Sequence, residues 1–214
     1  MIITEIFSSI QGESTLQGLP CVFVRLSGCN LDCRYCDTRY AREGGMEMSI
    51  REIVEKADYF GLTFVCITGG EPLLQKETPA LAKAFLDRRW TVSIETNGSL
   101  DASAIDSRVV RVIDIKCPGS GESDTTFAGN ITGRRPTDEF KFVIANRADF
   151  DYAVGFVNKH GLAGDVSVLF APVYGVLDPK TLSAWILKEM PAVRLNLQIH
   201  KYIWHDSDER NVIH

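Results

Sequence analysis

The sequence predicts an α/β chain folded as a full or partial (β/α) barrel, with about six parallel strands and helices outside. Three observations carry this. Apolar runs of strand length alternate with helical patterns along the 214 residues, the mark of βα units around a parallel sheet. Several of those runs place a polar residue at every second position, and because side chains alternate along a strand each has one polar face. Those polar residues gather toward the C-terminal ends of the strands, where parallel α/β folds place their chemistry. A doubly wound sheet would bury both faces and read as nearly continuous apolar runs, so the repeated polar face suggests the wall of a wet cavity.

In chain order, residues 2–7 read as an extra strand at the start. Residues 21–26 form the first barrel strand, with Arg25 alternating with Val24 and Leu26. A helical pattern over 50–59 leads to a strand at 64–68 that ends in Thr68, and another helix covers 78–88. In strand 91–95, Thr91, Ser93 and Glu95 share one face and Val92 and Ile94 the other. Strand 109–116 carries Asp114 and Lys116 on one face near its end. Residues 117–138 are rich in Gly, Ser, Thr and charge, and a loop of that length in a compact domain suggests an active-site flap. Strands at 140–145 and 166–170 follow, separated by a helix at 148–159. A helix at 179–190 precedes strand 193–198, where Arg194, Asn196 and Gln198 oppose Val193, Leu195 and Leu197.

The length suits one domain, residues 1–214, with a sizeable core. No apolar run approaches the ~18–20 residues of a membrane span, and the start of the chain lacks the features of a signal peptide, so a cytoplasmic location is expected. A net charge of −5 with only short basic clusters such as Arg134-Arg135 favours a small-molecule substrate over a nucleic acid. Six cysteines in a reducing compartment do not suggest a disulfide framework. Cys66 and Cys117 stand alone and read as free thiols inside the fold.

The other cysteines carry more. Cys29, Cys33 and Cys36 crowd into eight residues directly after the first barrel strand, at the rim where the polar faces converge. Three thiolates are one too few for a tetrahedral zinc site and leave one iron of a cubane cluster open to a ligand. Zinc would need Cys21 or a distant His as fourth ligand, and Cys21 lies at the far end of its strand. The element Thr68-Gly69-Gly70-Glu71-Pro72 follows a strand directly. Its glycines let backbone approach a ligand closely, and its carbonyls with Glu71 suit a positively charged amino group, although alone it could be a turn in which Pro72 opens a helix.

The C-x3-C-x2-C spacing with Tyr35 before the last cysteine, joined to this GGEP element, resembles the radical S-adenosylmethionine superfamily. That resemblance implies a [4Fe-4S] cluster on Cys29, Cys33 and Cys36, with S-adenosylmethionine on the open iron as the source of a 5′-deoxyadenosyl radical. Such a radical needs a dry, closed cavity. Further motifs resemble the 7-carboxy-7-deazaguanine synthase family: Phe7 to Glu13, Arg25 to Asn30, Cys36-Asp37-Thr38, Glu95 to Gly98, Asp114 to Pro118 and Gln198 to Trp204. They stand in family order over nearly the whole chain. The resemblance implies contraction of 6-carboxy-5,6,7,8-tetrahydropterin to 7-carboxy-7-deazaguanine, with loss of ammonia, on the route to queuosine and related 7-deazapurines.

The same resemblance assigns residues. Tyr35, Cys36, Asp37, Gly70 and Glu71 would lie against S-adenosylmethionine, as would Ser93, Glu95, Asp114, Ile115, Lys116, Ala171 and Tyr174. Ile10, Gln11, Gly12, Arg25 and Thr68 would contact the pterin, with Glu13, Gln198 and His200 as further candidates. Thr38 would bind a magnesium ion bridging to the substrate carboxylate, and His214 would bring the terminal carboxylate that reaches substrate in some members. By its own chemistry Arg25 suits the substrate carboxylate through bidentate pairing, or equally a rim salt bridge with Glu13 or Glu95. His200 could bond the pterin or be a satisfied rim histidine, and His160 and His205 read as surface residues. A reducing partner of flavodoxin type and a homodimer are expected from the resemblance. The alternatives are a glycyl-radical activase, whose mouth must admit a protein loop, and a zinc-binding module.

Overall fold

A computed structural model describes residues 1–204. A nine-stranded sheet runs in the order β3-β1-β2-β4-β5-β6-β7-β8-β9. Its strands are β1 (Ile2–Ile10), β2 (Pro20–Leu26), β3 (Met46–Glu47), β4 (Phe64–Gly69), β5 (Thr91–Thr96), β6 (Val110–Ile115), β7 (Glu139–Ile144), β8 (Ser167–Pro172) and β9 (Arg194–Leu195). From β2 to β9 each neighbouring pair is parallel. The opening strand pairs antiparallel with β2, and β3 antiparallel with β1. The sheet stays open, as a partial barrel.

The α-helices among the described residues are α1 (Ile50–Asp58), α2 (Thr78–Asp87), α3 (Ala128–Thr132), α4 (Arg147–His160), α5 (Pro179–Glu189) and α6 (His200–Ile203). Local signals explain their starts. Ser49 and Glu52 form a capping box on α1. The Asn146 and Asp178 side chains accept N–H groups in the first turns of α4 and α5. Gly161, at φ 59°, ends α4 in the left-handed conformation.

The core lies between the outer face of the sheet and these helices. Ile53, Val54 and Ala57 of α1 and Leu81, Ala82 and Phe85 of α2 pack on Val22, Val24, Val65, Ile67, Val92 and Ile94. A second cluster joins Phe140, Phe142 and Phe170 of the sheet to Phe150 of α4 and Leu182 of α5. Burial of each such ring is worth about 1.5–3 kcal/mol, which lets the inner face remain polar. The strand alternation therefore sorts the side chains: Val92 and Ile94 lie outward and Glu95 inward, as expected, and in β7 Phe140 and Phe142 lie outward and Lys141 inward.

Two expectations are corrected. Residues 117–138 are not a flap. Asn130 bonds the backbone of Gly98, Leu100 and Ala102, Arg111 and Asp138 form a buried ion pair, and no residue of 118–138 lines the lumen. The segment is bonded down as a brace. The last strand is also shorter than 193–198, because only Arg194 and Leu195 pair with β8. The Asn196 N–H still reaches Phe170 O of β8, but from there the chain bonds to the β1–β2 connection: the Asn196 side chain to Ser14, Leu197 O to Gln17 and the Ile199 N–H to Gly12 O. These contacts close across the open side of the barrel. Among the described residues no helix is long and apolar enough to cross a membrane.

Candidate active site

The inner face of the sheet lines a cavity of about 1020 Å³. At its rim the chain leaves β2 through Gly28, at φ 101°, into the loop that carries the three cysteines. Cys29, Cys33 and Cys36 are half-buried free thiols that line the cavity. The loop is tied down away from its cysteines. Arg34 donates its N–H to Ser120 O at 3.0 Å, Asp32 N–H reaches Glu122 at 2.8 Å, and the Tyr35 hydroxyl donates to Val143 O at 3.1 Å. Burial pushes the Cys33 thiol up, while the Lys116 charge opposes that.

The turn after β4 fits against this loop. A Cβ on Gly70 would lie 2.2 Å from Gly28 O and 2.7 Å from Cys29 Cβ, so only glycine is accommodated. Glu71 is fully buried and does not line the cavity. Its carboxylate accepts the N–H groups of Leu73 and Asn97 and the Thr96 hydroxyl. It thereby sets Asn97, whose amide nitrogen lies 4.0 Å from Cys29 Sγ. The expected ligand contact of Glu71 is thus replaced by a strut beneath the cysteines.

Among the described residues no three Cys, His, Asp or Glu side chains converge on a single metal ion. A zinc site needs that convergence. A four-iron cluster does not, because each thiolate takes a different iron. Three half-buried thiols on one loop with an amide donor beside them fit the cluster.

Next to the cysteines, Thr38 lines the cavity and donates to Asp37 at 3.0 Å. Burial raises the Asp37 carboxyl, but Lys201 at 2.6 Å and the Thr38 hydroxyl more than offset it and hold it well below the usual range. Tyr35, Gly70, Asp114, Lys116 and Tyr174 also line the cavity. Ser93, Ile115 and Ala171 are fully buried and do not.

The floor is built by the connection after β1. Ile10, Gln11, Gly12 and Glu13 line it, with Arg25, Thr68, Gln198 and His200. Gly12 packs so closely on His200 that a Cβ there would lie 1.9 Å from Nδ1. Burial holds His200 below its ordinary pKa, against the pull of Glu13. Glu95, expected on the cofactor, accepts from Thr68 at 3.3 Å and Gln11 at 3.4 Å and so belongs to the floor. Arg25 pairs with neither Glu13 nor Glu95. It bonds Glu5 at 2.7 Å, its partner across the β1–β2 ladder, and lies between the rings of Phe7 and Tyr40. Glu13 instead takes Lys141 at 2.5 Å and an N–H of Gln198. His214 and His205 lie outside the described residues.

Sequence reasoning missed Lys141, Asn97, Glu5 and Lys201. Lys141 had a signal: a cation between Phe140 and Phe142 in an apolar strand must face the lumen. The others act through contacts far apart in sequence.

An open parallel barrel with three cysteines at the C-terminal rim of its first parallel strand and a glycine turn against them defines a radical S-adenosylmethionine protein. The Radical SAM superfamily model matches residues 23–115. The 7-carboxy-7-deazaguanine synthase of Chlorobaculum tepidum is 46% identical, covering 98% of this chain and 96% of that protein. The one from Koribacter versatilis is 42% identical, over 95% and 97%. QueE from Escherichia coli shares the fold, with a TM-score of 0.74 at 20% identity over 92% of each chain. The chain belongs to the 7-carboxy-7-deazaguanine synthase family.

Proposed function

We propose that this cavity contracts 6-carboxy-5,6,7,8-tetrahydropterin to 7-carboxy-7-deazaguanine with loss of ammonia. The observation that carries the reading is that the three thiols and the Gln11–Gly12–Glu13 floor line one polar cavity. Cys29, Cys33 and Cys36 would each hold one iron, and S-adenosylmethionine would lie against Tyr35, Cys36, Asp37, Gly70, Asp114, Lys116 and Tyr174. When bound, the cluster and S-adenosylmethionine supply a carbon-centred radical that takes a hydrogen atom from the substrate.

The chain's own residues bind and orient. Arg25 uses Nε–H on Glu5 and keeps the other N–H groups of its fork for the substrate carboxylate. The Thr38 hydroxyl, with the Asp37 carboxylate beside it, offers oxygen ligands to magnesium, which takes its remaining ligands from water and substrate. Gln11, Glu13, Thr68, Gln198 and His200 present donors and acceptors to the edges of the pterin ring. Burial pushes the Glu95 carboxyl up against the opposing charges of Lys141 and Arg25, and its two oxygens orient Thr68 and Gln11 by accepting from them. The β1–β2 connection, bonded to residues 196–199, keeps water from entering by the floor.

The chain works as one domain over 1–214, on a small molecule and not on nucleic acid or a membrane, in the cytoplasm. A homodimer and a flavodoxin-type reductant complete the reading. The test is anaerobic. Reconstituted, reduced protein with S-adenosylmethionine, magnesium and the carboxypterin should yield 7-carboxy-7-deazaguanine. Accumulation of 5′-deoxyadenosine without that product would overturn the substrate. Cys33→Ala should lose the visible cluster absorbance while keeping its circular dichroism, because the loop lies outside the sheet.

A further inference from the structure

The lumen holds a cation that neither the cysteine loop nor the substrate floor explains. Lys141 sits in β7 between the fully buried Phe140 and Phe142, with its own side chain turned inward and only 9% exposed. An ammonium so placed persists only when paired. Its Nζ lies 2.5 Å from Glu13 Oε2 and 3.7 Å from Asp114 Oδ2. Asp114 faces Lys141 across the β6–β7 ladder, and the same Oδ2 takes Lys116 at 2.9 Å. Gln198 donates to the other oxygen of Glu13.

The result is a continuous row from Gln198 through Glu13, Lys141 and Asp114 to Lys116. One end stands among the floor residues, and the other, Lys116, lines the same cavity as the three cysteines. Asp114 Oδ1 is buried with no hydrogen-bond partner among the described residues, so this carboxylate keeps an acceptor in reserve. A purely structural filler at the centre of such a row would be better served by an apolar side chain of the same volume.

We propose that Lys141 is a positioning residue: its ammonium, shared between Glu13 and Asp114, fixes the substrate-side and cofactor-side carboxylates relative to each other and so sets the pterin against S-adenosylmethionine. This rests on the placement of the two ligands given above. Hydrogen-atom transfer demands such control, since a misplacement of ~1 Å costs about a hundredfold in rate.

The test compares Lys141→Met and Lys141→Arg with the parent holoprotein. Three quantities are read: the dissociation constant of the carboxypterin, that of S-adenosylmethionine, and the ratio of 5′-deoxyadenosine to product. Lys141→Met should weaken pterin binding by about tenfold or more, as loss of a charged hydrogen bond does, and raise the ratio. Lys141→Arg should recover part of both, because its fork can span the two carboxylates. If Lys141→Met melts earlier but binds pterin and couples like the parent, Lys141 is only a counter-ion and the proposal falls. If that variant does not fold, Glu13→Gln and the double variant Lys141→Met/Glu13→Gln decide. A higher ratio in the double variant than in Glu13→Gln supports the tie to Asp114, and equal ratios overturn it. Absence of product in the parent would instead overturn the substrate itself.

Discussion

Two side chains show how single residues set this site. Gly70 meets Gly28 O and Cys29 Cβ so closely that no Cβ fits. Gly70→Ala should push the cysteine loop outward, at a cost of about 1–3 kcal/mol, and the protein should take up much less iron and sulfide while its circular dichroism is unchanged. Glu95 titrates near 4.5 when unfolded, and burial raises it in the fold. The native state therefore binds the proton more tightly. The stability this lends is complete below about pH 4.5 and is lost as pH rises through the folded value. Glu95→Gln cannot ionise, so it should be more stable than the parent at pH 7, with the gap closing near pH 4, as denaturant melts will show. The cysteines and the glycine turn were legible because chemistry and sterics act at fixed spacings. The partner of Arg25 was not, because Glu5 comes opposite it only through the antiparallel register of β1 and β2.

At the scale of elements, the segment 117–138 shows where composition misleads. Its Gly, Ser and Thr suggest mobility, yet its charged and amide side chains bond it to the rest of the fold. Arg111 and Asp138 are 2% and 0% exposed, and removing one partner strands the other. Arg111→Met should cost about 3–5 kcal/mol, read from the denaturant midpoint, and Arg111→Met/Asp138→Asn should recover much of it. The segment supports the cysteine loop from outside, through Ser120 O and Glu122. The strands and longer helices were readable because each buries a periodic apolar face. The brace was not, because nothing periodic marks a loop held by polar side chains.

For the molecule as a whole, the open barrel is completed by two connections far apart in the chain. Ser14 adopts φ 68°, and Asn196 holds it by accepting its N–H and donating to its carbonyl. Asn196→Ala would leave those buried groups unpaired, costing about 1–3 kcal/mol. Pterin affinity should fall while iron content and S-adenosylmethionine affinity hold, because the clasp lies at the floor and the cysteines at the rim; equilibrium binding of each ligand checks this. By itself the sequence determined the class of fold, the three-cysteine loop and the glycine turn after β4, and its motifs pointed to most of the residues that line the cavity. The fold follows from alternation along the strands and the loop and turn from short local spacings, while the cavity residues came with the family resemblance. Only the tertiary structure decided that Glu71 is a strut, that Glu95 belongs to the floor, that Lys141 joins Glu13 to Asp114, and that the last strand gives way to a clasp. Those outcomes depend on charges and backbone groups brought together from distant parts of the chain, where burial makes each pair with whatever polar groups the fold sets beside it.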